Sequence, residues 1–335
     1  MEYLSHNSSF SSFVSLKYTP FLPGTKHLRW DEYINEVVNR VSSDTPIQSA
    51  LEQSSLTSTQ LRDLEPQYSK LTGSNGKATF QSVQGVDAKM LALSAYAENA
   101  VQQAASQFNF LESTSPSYMP LVKYAKDMTQ GPQASIGALA ALILRDYAVR
   151  NKKLGEQPLF AGLPAEAYCG GYLILTTMTG PERLRLFESI NLNMGNLRIL
   201  AQTSIPEFGS TPLTQVFTAA PSFQGEAMPV ADSLDNAICV ALVTAQYRAI
   251  AQLAVIQSIR TRKPVNLHLT LVGQGAFNNN EAVLRQALKA ARESVEGFNV
   301  NVFIHGYSED DIAKINRCAG SADLQKMTRT DFFRK

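Results

Sequence analysis

Cysteine is scarce in this chain and poorly placed for pairing: Cys169, Cys239 and Cys318 are the three thiols among 335 residues, and no CxxC spacing joins them. An odd number of distant cysteines builds neither a disulfide framework nor a structural zinc site, and it fits a reducing compartment. Charge of one sign is equally lacking. Thirty Lys and Arg stand against 29 Asp and Glu, a formal net charge of +1, so no overall attraction draws the chain to nucleic acid or anionic lipid. Long apolar runs are missing too. Residues 136–144 and 250–256 are the most apolar, well short of the roughly 20 that a membrane span requires. The opening MEYLSHNSSFSSFVSLKYTPFLPG lacks the basic, apolar and small-residue order of a secretion signal. HExxH, a GxSxG serine elbow and a cysteine with a neighbouring histidine motif are also absent, which leaves zinc proteolysis and covalent acyl transfer without support. Nothing in the chain calls for a metal or a cofactor.

With hydrophobic residues at 44% and charged residues at 18%, a soluble globule of one large domain or two ordinary ones is expected. Trp30, Tyr33, Ile34, Val37, Val38 and Val41 recur at helical spacing, with Asp31 as a possible cap. The Gly73-Ser74-Asn75-Gly76 cluster reads as a loop. Residues 87–108 and 135–149 read as Ala-rich helices, which makes residues 1–150 a mainly helical region. Beyond it, short β-branched runs alternate with long helices, as in a parallel sheet with crossover helices. The expected strands are 173–177, 215–219, 267–272 and 300–305. Between the second and third, Leu234, Ile238, Leu242, Ala245, Ala249, Leu253 and Ile256 form a stripe, opened by Asp232 or Ser233 as N-cap and closed before Pro264. A further helix follows Asn280. Residues 151–335 are thus expected to be an α/β region, and the chain boundary is placed between about 150 and 200.

The sharpest chemical feature is Leu267-His-Leu-Thr-Leu-Val-Gly-Gln-Gly-Ala-Phe-Asn-Asn-Asn280. A strand runs through a Gly-x-Gly turn into a helix N-terminus, where main-chain N–H groups and the helix dipole favour a phosphate. Gly273 and Gly275 permit close approach, Gln274 and Ala276 lie between and beside them, Asn278 and Asn279 offer amide donors, and Phe277 offers a ring to a ribose or base. The GxGxxG and GxxxxGK[ST] fingerprints are not met, so a plain tight βα turn competes with the phosphate reading. A second loop, Ala219-Ala-Pro-Ser-Phe-Gln-Gly-Glu-Ala-Met-Pro229, also follows a strand, the end at which open α/β sheets bind ligands. It contributes Ala220, Pro221, Phe223 and Gln224, and brings Glu226, Asp232 and Asp235 close in sequence. One of these carboxylates could orient a water or stabilise charge on a sugar C1; in the plainer reading Asp232 caps the helix, Asp235 complements its dipole and Glu226 is solvated. Gln130, in the turn Thr129-Gln-Gly-Pro-Gln-Ala-Ser135, is a further contact candidate. His268 and His305 read as structural.

The segments Leu269-Thr-Leu-Val-Gly-Gln-Gly-Ala-Phe-Asn-Asn279, Thr214-Gln-Val-Phe-Thr-Ala-Ala-Pro221 and Val300-Asn-Val-Phe-Ile-His-Gly306 resemble the macrodomain-like fold of poly(ADP-ribose) glycohydrolase relatives, including ADP-ribosyl hydrolase effectors of intracellular bacteria. The resemblance covers roughly residues 129–307. It implies a three-layer macrodomain-like mixed sheet flanked by helices, with Gly273, Gln274, Gly275, Ala276 and Phe277 around an ADP-ribose diphosphate. The Gly-Gly-Gly and Gln-Glu-Glu stretches of the poly(ADP-ribose) enzymes are missing, and Cys169-Gly-Gly171 and Gln224-Gly-Glu226 are poor substitutes for them. The related effectors use aspartates near the distal ribose instead, a role implied for Asp232 and Asp235 with Glu226 third. The partners implied are ADP-ribose or an ADP-ribosylated protein, and the setting a bacterial cytoplasm with export into a host cell as the effector route. A non-catalytic ADP-ribose or nucleotide reader, and an interaction protein built on the same scaffold, are the competing expectations.

Overall fold

A computed structural model describes residues 56–71, 76–86, 91, 94–111, 145, 149, 155–203, 213–223, 226–320 and 324–334. Ten strands are defined among them: β1 (Leu56–Gln60), β2 (Thr79–Gln84), β3 (Ala100–Ala105), the short pair β4 (Tyr168–Cys169) and β5 (Tyr172–Leu173), β6 (Arg198–Thr203), β7 (Thr214–Thr218), β8 (Val265–Leu269), β9 (Val300–Gly306) and β10 (Gln325–Met327). The helices are α1 (Leu61–Ser69), α2 (Gly180–Asn193), α3 (Leu234–Thr261), α4 (Glu281–Val295), α5 (Glu309–Cys318) and α6 (Arg329–Phe333). Eight strands form one sheet in the order β1-β6-β7-β3-β8-β9-β2-β10. The pairs β1/β6 and β6/β7 are antiparallel, and from β7 to β10 every neighbour is parallel. The protein is therefore α/β, with a mixed sheet flanked by helices.

Both faces of the sheet are covered, which is why its central strands read as nearly continuous apolar runs. Along β7, Val216 packs with the α3 side and Phe217 with the opposite side. On β9, Val300, Val302 and Ile304 face α3 and α4, whereas Phe303 meets Val83, Val86 and Phe332. This period of two fixes the register, because a one-residue slip would exchange the two cores. The helix α3 is long and apolar enough to cross a bilayer, yet 67% of its most apolar window is buried inside the fold. That is the setting of a core helix, and it explains the length of its stripe.

The carboxyl-half expectations hold at 215–219 and 300–305, which fall on β7 and β9. Ser233, not Asp232, caps α3: its side chain accepts from the Asn236 N–H, and the helix ends at Thr261 with Arg262 in the left-handed region. Asn280 caps α4. Other expectations need correction. The helix over 87–108 is contradicted by β3, which occupies Ala100–Ala105. Its sequence AVQQAA has good helix propensity, but strands on either side pair with it and its buried Gln102 and Gln103 bond sideways, so tertiary pairing overrides propensity. Residues 173–177 hold the end of β5 and a 3-10 turn, Leu175–Thr177. The third strand starts earlier, at Val265, and stops at Leu269. Because β1, β2 and β3 share the sheet with strands from residue 198 onward, a division at residue 150 passes through the sheet rather than between two sheets. The expected helix at Trp30–Val41 lies outside the described residues, as does all of the 73–76 loop except Gly76.

Candidate functional site

The parallel strands β7, β3 and β8 lie side by side and end together, so the loops after β7 and β8 meet above the end of β3. Buried polar side chains hold those ends in place. Gln103 of β3 donates from Nε2 to Thr218 Oγ1 at 3.1 Å and accepts the Thr270 N–H on Oε1 at 2.8 Å. Gln246 of α3 accepts the Ala219 N–H at 2.8 Å and donates to the Ala219 carbonyl at 2.7 Å. Tyr247 donates its hydroxyl to the Thr270 carbonyl and accepts from the Val272 N–H at 3.3 Å. Once β3 ends, its chain continues in the same fashion, with the Ser106 N–H donating to Thr218 O at 2.8 Å. These groups satisfy main-chain atoms that would otherwise be orphaned where the ladder stops.

Residues 271–280 form a compact bend. Gly273 has φ +82°, and a Cβ there would lie 2.7 Å from Ala220 Cβ, so the bend and the loop after β7 touch at a position only glycine fits. Asn278 also lies in the left-handed region, at φ 54°. The Gln274 N–H donates to Leu271 O, the Asn278 N–H to Gly275 O and the Asn279 N–H to Gly273 O. Among the described residues, the N–H groups of Gly273, Gly275, Ala276 and Phe277 have no partner. Gly275 and Ala276 are exposed, and nothing lies within 4 Å of where a Gly275 Cβ would be. The bend thus presents uncommitted donors to open space.

The asparagines take a different part from the one expected. Asn278 Nδ2 donates to Glu226 O at 3.0 Å, Asn279 Nδ2 to Pro221 O at 2.8 Å, and Asn280 Nδ2 to Pro229 O at 3.0 Å. These amides staple the two loops together rather than lining a mouth as free donors. The Asn279 Oδ1 is buried and unpartnered. Gln274 Nε2 likewise turns inward, to the Asn280 carbonyl. Phe277 packs its ring 5.5 Å from that of Tyr172, and its carbonyl accepts the Phe223 N–H. Ala220, Pro221 and Phe223 are buried beneath the junction, where the Ser222 N–H also donates to Leu173 O. Gln224 and Gln130 lie outside the described residues.

The three carboxylates are not equivalent. Glu226 and Asp232 are exposed. Asp235, in the first turn of α3, is largely covered: Oδ2 pairs with Arg183 Nη1 at 2.7 Å, while Oδ1 is buried and without a partner. Arg183 comes from the first turn of α2, whose Thr179–Glu182 capping box fixes the helix start. Its carboxylate partner stands 52 residues away in sequence. Nothing in the sequence signalled the pairing, so Arg183 was missed. Gln103, Gln246 and Tyr247 were missed for the same reason. The buried Cys239 thiol is pushed well up, first by burial and then by Asp235, so it stays protonated.

His268 and His305 belong elsewhere. His268 Nδ1 and His305 Nε2 are 2.9 Å apart, His268 Nε2 meets the Tyr96 carbonyl at 3.1 Å, and Phe303 and Phe332 enclose the rings. Burial pushes both imidazoles down, that of His305 to about 4. Among the described residues, no three His, Cys, Asp or Glu side chains gather as ligands of a metal ion would.

No family model and no curated protein matches the chain. Among solved structures it is similar to poly(ADP-ribose) glycohydrolase from Deinococcus radiodurans in complex with ADP-ribose, with 13% identity, a TM-score of 0.45, and coverage of 82% of this chain and 98% of that one. A second crystal form of that complex gives 12% identity and a TM-score of 0.44 over the same shares. The enzyme's apo form gives 12% and 0.36, over 81% of this chain and 93% of that one. By its own architecture the chain is an α/β protein whose loops after β7 and β8 are stapled together over the carboxyl ends of parallel strands.

Proposed function

We propose that the chain binds ADP-ribose through the 271–280 bend and releases it by hydrolysis from a modified protein side chain. The observation that carries the reading is the set of unpartnered N–H groups at Gly273, Gly275, Ala276 and Phe277 at the carboxyl ends of the strands, with Gly275 and Ala276 exposed. A diphosphate is the anion that such a row of main-chain donors suits, since it spreads charge over several oxygens and needs no lysine. Asp235 is the least exposed of the three candidate carboxylates for acting on the ribose, with Asp232 and Glu226 exposed and near it in sequence. In the reaction, a water oxygen bonds to the ribose C1 as the bond to the protein side chain breaks. The water's proton passes to a carboxylate, and the leaving group is protonated in turn.

A second reading is favoured by the 2.7 Å pair between Arg183 and Asp235, because the oxygen held by the guanidinium is not free to orient a water: the chain then reads ADP-ribose without cleaving it. One experiment separates the two. Calorimetric titration with ADP-ribose measures binding to the parent and to Asp235→Asn, and release of ADP-ribose from an ADP-ribosylated protein measures turnover. The hydrolase reading expects micromolar binding by both proteins and turnover by the parent, lowered at least a hundredfold in the variant. Binding without turnover leaves the reader, and no binding at millimolar ADP-ribose removes both.

A further inference from the structure

A cavity of about 260 Å³ opens between α1, the 3-10 turn Met194–Asn196 and the middle of α3. It shares no lining residue with the 271–280 bend or the loop after β7. Three charged side chains line it: Arg62 and Glu65 of α1, three residues apart, and Arg248 of α3, four residues before Gln252, so each helix turns one polar face to the space. Gln252 is buried, and its Nε2 donates to Glu65 Oε2 at 2.7 Å. Arg62 Nη1 donates to Asn196 Oδ1 at 3.0 Å, which leaves most of the five guanidinium N–H donors uncommitted. Among the described residues, the Glu65 carboxylate has no other donor and the Arg248 guanidinium no acceptor, and no ion pair joins the three charges. The rest of the lining is apolar: Leu61 and Met194 form walls, and Ala245 and Ala249 are small enough to leave the space open.

We propose that this cavity binds a free α-amino acid with an aliphatic side chain. Its carboxylate would meet Arg248 and the spare N–H groups of Arg62, its ammonium would meet Glu65, and its side chain would lie on Ala245 and Ala249 between Leu61 and Met194. The charges carry the choice of ligand. A phosphate or a dicarboxylate suits the two guanidinium groups but is repelled by Glu65, and a plain amine suits Glu65 but is repelled by the two guanidinium groups. A zwitterion satisfies both, and the apolar walls reward an aliphatic body. The site is independent of the ADP-ribose reading.

The test titrates the full chain calorimetrically with L-leucine, with isocaproate, which is leucine without its ammonium, and with isoamylamine, which is leucine without its carboxylate. Expected is submillimolar binding of leucine, with each analogue about tenfold or more weaker, the size of a hydrogen bond to a charged group. Arg248→Gln should narrow the gap between leucine and isoamylamine. Glu65→Gln, which keeps an acceptor for Gln252, should narrow the gap between leucine and isocaproate. Ala245→Leu, which fills the cavity, should abolish leucine binding. No leucine binding at millimolar concentration overturns the proposal, as does an analogue that binds as well as leucine. So does a uniform loss for all three ligands in the charge variants, or leucine binding that survives Ala245→Leu. Should Ala245→Leu melt early, the charge variants still decide, because Arg248 and Glu65 are exposed and their replacement leaves the core intact.

Discussion

A single missing Cβ decides whether the loops after β7 and β8 can meet. Gly273 combines φ +82° with a contact in which a Cβ would sit 2.7 Å from Ala220 Cβ, so Gly273→Ala meets both strain and collision. A cost of about 1–3 kcal/mol is expected, read as a lower urea midpoint, together with weaker ADP-ribose binding as the bend moves off the neighbouring loop. Gly275→Ala is the contrast: it has no left-handed φ and open space around it, so its stability should stay within about 0.5 kcal/mol of the parent. Equal destabilisation of the two variants would show that the bend is not built as described. The Gly-x-Gly pair was legible in the sequence, but its inequality was not, because the difference lies in what each glycine faces.

At the scale of elements, the helix starts do two tasks at once. Ser233 caps α3 within its own turn, whereas Asn280 both caps α4, accepting from the N–H groups of Ala282 and Val283, and donates to Pro229 O across the loop junction. Ser233→Ala should therefore cost about 1 kcal/mol. Asn280→Ala should cost more, about 2 kcal/mol, since the lost cap is joined by an unsatisfied carbonyl at the partly buried Pro229, whereas the carbonyl that Ser233 leaves belongs to the exposed Val230. Chemical denaturation of both variants checks the order, and the reverse ranking would count against the staple. Helix starts follow from residue type and spacing: the sequence places a helix after Asn280, and leaves Asp232 and Ser233 as alternatives for the cap of α3. The strand β3 does not, because Ala and Gln favour a helix until two flanking strands offer them a ladder.

Over the whole molecule, the buried imidazoles of His268 and His305 tie stability to pH. Both are pushed below their ordinary value of 6.5, chiefly by burial, His305 to about 4. The unfolded chain therefore takes up protons from about pH 6.5 downward that the folded chain refuses. Stability from this source is complete above pH 6.5 and is lost as pH falls toward 4, by up to about 1.4 kcal/mol per pH unit for each ring. Melting temperatures measured between pH 7 and pH 4.5 should fall in the parent and fall less in His305→Gln. The Glu281 carboxylate, held down mainly by its hydrogen bond from Arg317, titrates below its ordinary value of 4.5 and so acts in a separate, more acidic window. A flat profile in the parent would mean that the pair is open to solvent.

What the sequence determined by itself is local. The apolar stripe of α3, the helix after Asn280, the strands at 215–219 and 300–305, and the strand-turn-helix around Gly273 all follow from short-range periodicity and from the conformations that Gly, Asn and Ser allow. The tertiary structure alone decided that β1, β2 and β3 enter the sheet, that three asparagine amides bond between loops, and that Asp235 answers to Arg183. Each of these joins groups far apart along the chain, and hydrogen bonds and ion pairs depend on distance in space, which periodicity does not encode.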